Sequence, residues 1–472
     1  MTDSVQEWEV VIGLEVHCEL NTASKLFCGC ANVFGDEPNT NICPTCLGLP
    51  GSLPVVNEAA VTKAMTLGRA LGCTVSNSIF ARKNYFYPDM PKDYQVTQYE
   101  EPTNSDGELA LGDGSIVQIE RAHIEEDTGK TTHVGGDGRI HGAGHSLVDY
   151  NRAGVPLVEI VSRPVIRSAR QAKTYVEELR AVVLAIDVSD ARMDQGSMRV
   201  DANVSVRPVG SDELRTRSEV KNINSLRSLG LAIEYETRRH IDLYEAGESP
   251  LQQTRHWDEA AGRTRDGRSK EDADDYRYFA EPDLVPLEPT QAQIAAIDES
   301  LPPSPALRRT RLAEAVGVDP ADVAIVVMRG QDQLALDAVG IGADGAKTLA
   351  RIENELAVED WSAITADALA DVVTRETTGK LSATQAKHVI AGLVEAGGTV
   401  DEVVATLGIA SVDSGELVGM LDALIEQHED EWARLADGDR KLQGFFVGQI
   451  MQLTNGQADG KIVQTLIAER LR

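Results

Sequence analysis

Residues 11–20 read VIGLEVHCEL and alternate with a period of two. From Leu14 onward, Leu14, Val16, Cys18 and Leu20 fall on one side of an extended strand. Glu15, His17 and Glu19 fall on the other. Same-face neighbours on a strand stand about 6.6 Å apart. A carboxylate and an imidazole at that spacing can converge on one cation in front of a sheet. An oxygen-plus-nitrogen donor set suits a divalent ion such as Mg²⁺ or Mn²⁺. The same alternation also describes a half-buried strand with a solvated outer face. Recurrence of the pattern argues for the chemical reading.

Residues 197–206 (SMRVDANVSV) set Met198, Val200, Ala202, Val204 and Val206 against Arg199, Asp201, Asn203 and Ser205. A solvated face tends to carry Lys, Glu and Thr, whereas Arg, Asp and Asn together suit a polar floor that orients a ligand. In 216–222 (TRSEVKN), Arg217, Glu219 and Lys221 share a side. Residues 121–130 (RAHIEEDTGK) bring Glu125, Glu126 and Asp127 beside His123, next to a Gly-rich turn at Gly135, Gly136 and Gly138. Residues 149–162 carry Asp149, Asn151, Arg152 and Glu159 around an apolar strand. The stretch 82–98 (RKNYFYPDMPKDYQVTQ) concentrates Arg82, Lys83, Lys92, Tyr85, Tyr87 and Tyr94 in a chain that is only 4% aromatic. Pro88 and Pro91 argue against a helix there. Cations, phenols, Gln95 and Gln98 on an extended loop suit phosphate and a nucleobase or ribose; a surface hairpin with aromatic packing is the alternative. The chain has no G-x-x-x-x-G-K-[ST] and no G-x-G-x-x-G heading a helix. A nucleotide site here must therefore be built on a sheet with metal ions.

Four of the six cysteines, Cys28, Cys30, Cys43 and Cys46, form a C-x-C and a C-P-T-C pair across a short loop. That spacing suits a tetrahedral four-sulfur zinc site, which leaves no open position and is structural rather than catalytic. Disulfides or free thiols are the competing accounts. With no signal peptide in evidence and Cys18 and Cys73 scattered, a reducing cytoplasm is expected.

The 472 residues are enough for two or three domains, and no stretch is long and apolar enough to span a membrane. Acids outnumber Lys plus Arg 75 to 45, giving a formal charge of −30 spread along the chain. Such a distribution suits a high-salt, halophilic cytoplasm, where the Debye length falls to about 3 Å at 1 M salt. It does not exclude RNA as a partner, although phosphate contacts weaken as salt rises.

The expected architecture is α+β. A first domain, 1–292, mixes strands and Gly-rich turns with helices near 168–187 and 225–247. The Pro-punctuated stretch 281–305 marks a boundary. Beyond it nearly everything has helical period, and we expect an all-helical C-terminal region divided into a helical domain, 293–400, and a helical tail, 401–472. In the tail, Lys461, Arg470 and Arg472 stand out as basic; they suit either an RNA-touching surface or an ordinary helix pair.

Taken together, these motifs resemble the B-subunit family of tRNA-dependent amidotransferases, nearly end to end. The resemblance rests on VIGLEVHCEL, LPGSLPVVN, ARKNYFYPDMPKDYQ, HIEEDTGK, VDYNRAGVPLVEIVS, QGSMRVDANVSVRP, EVKNINS, DDYRYFAEPDLVP and GFFVGQIMQ. It implies a cradle domain like the glutamine synthetase catalytic fold, with a mixed or antiparallel sheet, then a helical domain and a tail reaching tRNA. It also implies a chemistry. ATP and Mg²⁺ phosphorylate the side-chain carboxylate of mischarged Asp-tRNA(Asn) or Glu-tRNA(Gln). Ammonia from a glutaminase A subunit then displaces the phosphate, and a small C subunit clamps the pair into a heterotrimer. No Ser-Ser-Lys amidase signature is present, so glutaminase activity is not expected in this chain.

Carried onto this sequence, the resemblance implies that Glu15, His17 and Glu125 ligate metal, with Glu126, Asp127 and Glu159 beside them. Arg82, Lys83 and Lys92 would handle phosphates, with Tyr85 in the same nucleotide-binding stretch. Asp201, Asn203, Glu219 and Lys221 would floor the site or position the aminoacyl end. The four cysteines match a zinc knob found in some members. Two rival functions stand beside this one. A stand-alone metal-dependent carboxylate–amine ligase would turn over ATP with a small acid and no RNA. A non-catalytic, zinc-bearing RNA-binding scaffold would tolerate replacement of Glu15, His17 and Glu125.

Overall fold

The structure, a computed structural model, describes residues 7–135, 142–269, 276–358, 360–409, 414–454, 458 and 460–471. Gly136, Gly138, most of the 455–459 loop and Arg472 lie outside the described residues, as does the Lys461 side chain. The chain forms two compact units, Met1–Ala306 and Leu307–Arg472.

The first unit is organised by strands β1 (Trp8–Glu19), β2 (Thr74–Val75), β3 (Ala81–Asn84), β4 (Tyr94–Thr97), β5 (Asn104–Ala110), β6 (Ile116–Glu126) and β7 (Lys130–Val134). They continue as β8 (His145–Asp149), β9 (Pro156–Ser162), β10 (Met198–Pro208), β11 (Ser218–Ile223), β12 (Gln253–Asp258), β13 (Arg263–Ser269) and β14 (Phe279–Ala280). Nine of them make one sheet in the order β13-β12-β11-β10-β1-β9-β6-β5-β2. Every pair in it is antiparallel except β11–β12. The expected mixed sheet within an α+β fold is therefore present.

Period-two alternation sets the two faces of this sheet. Leu14, Val16 and Cys18 of β1, Ala122 and Ile124 of β6, Val158 and Ile160 of β9, and Val200, Ala202 and Val204 of β10 are all buried in one core. Helices α1 (Glu58–Ala70), α2 (Ala169–Ala185) and α3 (Leu226–Glu245) supply the rest of it. Each begins at a side-chain cap that satisfies otherwise orphaned amides: Asn57, Ser168 and Ser225. α2 packs on β1 and α3 on β10 and β11, so the helices cover one face and leave the other open. A three-stranded sheet, β14-β3-β4, stands apart from the large one.

In the second unit, helices run from Pro305–Val316 to Gly460–Arg470, with no strand among the described residues. Two separate apolar clusters hold it, one from Leu312 to Val403 and one from Leu417 to Ile467.

Candidate active site

The open face of the sheet gathers the polar residues into rows. Register places His123 beside Glu159, Glu159 beside His17, and His17 beside Arg199, across β6, β9, β1 and β10. One step along β1, Glu15 lies beside Asp201. Directly opposed residues of an antiparallel pair share a face, so the pairing brings these side chains together. His17 is the hub: Nδ1 lies 3.4 Å from Glu125 Oε1, and Nε2 lies 3.7 Å from Asp201 Oδ2. His123 Nε2 lies 3.2 Å from Glu159 and 3.8 Å from Glu125. Asn203 Nδ2 donates to Glu15 at 2.9 Å, and Thr97 donates to Glu125 at 3.3 Å. Farther along, Lys221 donates to Asp201 at 2.7 Å and lies 3.6 Å from Glu219, which accepts from the Thr254 hydroxyl at 2.7 Å. Lys221 and Asn222 together oppose Asp201 as a bulge between β10 and β11, and Asn222 takes a left-handed backbone (φ 65°).

These residues line a cavity of about 690 Å³. Glu15, His17, Lys83, Tyr85, Glu125, Glu159, Asp201, Glu219 and Lys221 all reach it, and Asn203 sits directly behind Glu15. Its opposite wall is phenolic. Tyr85, Tyr87, Tyr99, Tyr276 and Tyr278 line it, five of the ten tyrosines in the chain. Tyr99 and Tyr278 stack at 4.2 Å, and Lys83 Nζ lies over the Tyr276 ring at 4.6 Å.

Crowded acids dominate the electrostatics. Burial disfavours a charged His17, but hydrogen bonds to Asp201 and Glu125 and the field of Glu159 outweigh it, raising its pKa to about 10. Burial likewise opposes charge on Asp201, yet Lys221 and His17 hold its carboxyl below the usual range. Glu159 is held well below its ordinary value against burial by His123 and His17. Lys221 stays above the usual lysine range despite burial, because of Asp201 and Glu219.

Three expected residues are not brought into this cavity. Arg82 alternates away from Lys83 on β3 and forms a forked pair with Glu281 at 2.6 and 2.7 Å. Lys92 donates to Glu126, which also accepts from Val96 N at 2.8 Å. Lys92 and Glu126 line instead a smaller cavity of about 70 Å³, along with Cys28 and Cys46. Conversely, Arg121, Thr254, His256 and Tyr99 reach the large cavity without having been singled out from the sequence for a role there.

The donors fit a cation. Glu15, His17 and Glu159 offer ligand atoms within 4.8 Å of one another, as do His123, Glu125 and Glu159, and Glu15, Asp201 and Glu219. His123 Nδ1 and Asn203 Oδ1 are buried without a hydrogen-bond partner. The elevated pKa of His17 marks the same demand for positive charge that a divalent ion would meet. Away from the sheet, Cys28, Cys30, Cys43 and Cys46 also gather within 4.8 Å of one another. A hydrogen bond from Cys28, opposed by burial, lowers the Cys46 thiol to about 5, the direction a thiolate ligand needs.

Comparison with known proteins gives this geometry its context. A family profile described as the GatB/GatE catalytic domain matches residues 10–295, and one described as the GatB domain matches residues 346–471. A protein of Nocardioides sp. (strain ATCC BAA-499 / JS614) is 46% identical over 487 residues, covering 99% of this chain and 98% of its own. One from Frankia casuarinae is 48% identical over 489 residues, covering 100% of this chain and 97% of its own. Both are named as the B subunit of an aspartyl/glutamyl-tRNA(Asn/Gln) amidotransferase. The chain belongs to this B-subunit family.

Proposed function

We infer that this chain amidates mischarged tRNA. It uses ATP to phosphorylate the side-chain carboxylate of Asp-tRNA(Asn) or Glu-tRNA(Gln), and ammonia then displaces the phosphate. The observation that carries this reading is His17 set between Glu125 and Asp201, beside Glu159, on the open face of a sheet. That face belongs to a chain alignable end to end with amidotransferase B subunits.

A carboxylate is a poor electrophile. Transfer of the γ-phosphoryl group onto one of its oxygens releases ADP and creates a leaving group; ammonia then forms the C–N bond as the C–O bond to phosphate breaks. The obstacle is repulsion between an anionic carboxylate and an anionic phosphate. Mg²⁺ bound among Glu15, His17, Glu125 and Glu159 would neutralise that charge. Lys83, on the opposite wall, grips phosphate, and Tyr85 with the neighbouring phenols packs against the nucleoside. Asp201, Asn203, Glu219 and Lys221 position the aminoacyl end. Arg82 and Lys92 are neutralised by Glu281 and Glu126, so they brace the walls. Zinc on the four cysteines holds the 28–46 loop. A glutaminase A subunit supplies the ammonia and a small C subunit completes the complex, in the cytoplasm, with residues 401–472 touching tRNA.

The test is the assembled complex with ATP, free ammonium and each mischarged tRNA. Amide is expected on tRNA, and Glu125→Gln is expected to lower its rate about 10²–10³-fold. Wild-type-like amidation by that variant would remove Glu125 from the chemistry. ATP turnover with free aspartate and no RNA would favour a stand-alone ligase.

A further inference from the structure

The cavity is rich in acid, yet the proposed substrate is itself a carboxylate, so something in the cavity must receive an anion. The cations on its wall are not equivalent. Lys221 is held between Asp201 and Glu219. Lys83 lies over Tyr276 on the phenolic wall and acts on Glu159. Arg121 is tied at NH1 to its exposed neighbour Glu120, with its Nε buried and unpartnered, and it lies one step beyond His123 and so farther from His17. Arg199 differs from all three. It stands beside His17 on β10 and lines the cavity. Its NH2 donates to Asp127 Oδ2 at 2.8 Å. Asp127 is itself buried, and the same oxygen lies 3.4 Å from Arg152 Nε. One carboxylate oxygen thus holds one edge of the Arg199 fork while also serving Arg152, and Glu19 and Glu125 add to the acids acting on Arg199.

We propose that Arg199, oriented by Asp127, receives the side-chain carboxylate of the aminoacyl group. This rests on the reading that the cavity amidates aminoacyl-tRNA, and it adds the residue that recognises the group to be activated. A guanidinium has five donors in a rigid plane, so one edge can stay on Asp127 while another meets the substrate. The oxygen it binds is the one that does not receive phosphate. In the acyl phosphate the same contact draws electron density from the carbonyl carbon as ammonia approaches. Arg199 is then a catalytic residue, and Asp127 a positioning residue acting through it.

The experiment uses the whole complex and separates two Michaelis constants. Arg199→Lys and Arg199→Ala are expected to raise KM for mischarged tRNA about ten- to a hundredfold, the range for a charged hydrogen bond, with KM for ATP within about twofold of wild type. Lys83→Ala is expected to do the reverse. Asp127→Asn is expected to raise KM for mischarged tRNA less than Arg199→Ala does, with Tm recorded for every variant. Should Arg199→Ala fail to fold, Arg199→Lys, which keeps the charge but not the fork, decides. An unchanged KM for mischarged tRNA in a folded Arg199→Lys, or an equal rise in both constants, would overturn the proposal. Absence of amidation by the wild-type complex would instead overturn the underlying reading.

Discussion

Two buried charge clusters lie on opposite faces of one sheet and differ in their balance of acids and cations, although each leaves a buried histidine nitrogen unpartnered, His240 Nδ1 in one and His123 Nδ1 in the other. On the helix side, Glu236 of α3 is fully buried and accepts from both Arg239 and Thr264, with Arg255 Nε at 3.0 Å. Asp266 also pairs with Arg255, so two acids meet two arginines there. On the open side, Glu15, Glu125, Glu159, Asp201 and Glu219 outnumber the cations facing them, and polar atoms of His123 and Asn203 go unpartnered. The histidines report the contrast. Burial pushes His240 below its usual value, aided by Arg239 and Arg255, although Glu236 opposes the shift. His17 goes the other way, to about 10, because acids surround it. A balanced cluster holds a fold together; an unbalanced one waits for charge from outside.

The largest expected effect breaks the balanced side. Glu236→Ala removes the acid shared by Arg239 and Arg255, leaving Arg255 only Asp266, and is expected to cost about 3–5 kcal/mol in denaturant unfolding. A loss below about 1 kcal/mol would mean that the cluster is not what ties α3 to β12 and β13. Next comes acid. Against burial, hydrogen bonds from His240, Arg239 and Thr264 hold Glu236 at about 2. A lowered folded pKa stabilises above the unfolded value, about 4.3, and that contribution disappears as pH falls from about 4 to 2. It amounts to something on the order of 3 kcal/mol. Unfolding curves of wild type and Glu236→Gln should therefore converge over that interval, and parallel curves would refute the assignment.

The thiols extend the contrast, being a second unbalanced cluster. Added zinc is expected to stabilise the chain by about 2–3 kcal/mol at a hundredfold excess over its Kd, and Cys46→Ser to abolish both that gain and metal retention. Zinc retained by the serine variant would point elsewhere. The smallest effect has the opposite sign. Glu125→Gln removes one crowded acid and is expected to stabilise by about 0.5–2 kcal/mol while activity falls, as at sites tuned for function over stability. A loss comparable to that of Glu236→Ala would erase the distinction between the two clusters.

Alternation made much of this site legible. β1 and β10 are covered by helices on one side only, so Leu14, Val16, Met198 and Val200 separate from Glu15, His17, Arg199 and Asp201 in the sequence itself. The same rule accounts for what was misplaced when neighbouring cations or acids were read as groups. Arg82 and Lys83 are adjacent on a strand, as are Glu125 and Glu126, and adjacent residues face opposite ways. What captures Arg82 is Glu281, 199 positions away, which no local pattern announces. Thr254 and His256 carry no local signal for a similar reason. They enter through the parallel pairing of β12 with β11, across the whole of α3, and such a crossover leaves no trace in either strand alone.

The bulge at Lys221 and Asn222 carries a consequence for how this protein can vary. One extra residue, Asn222, kinks β11 just after Lys221 meets Asp201 and before Ile223 returns to the core. Deleting Asn222 would leave Lys221 alone opposite Asp201 and Ile223 still opposite Val200, a regular ladder without the kink that the bulge introduces. Replacement keeps the kink but strains the left-handed backbone that Asn tolerates and loses the Asn222 hydrogen bond to Trp257 O at 2.9 Å. Variants that keep the kink should therefore keep Asn or Gly at position 222.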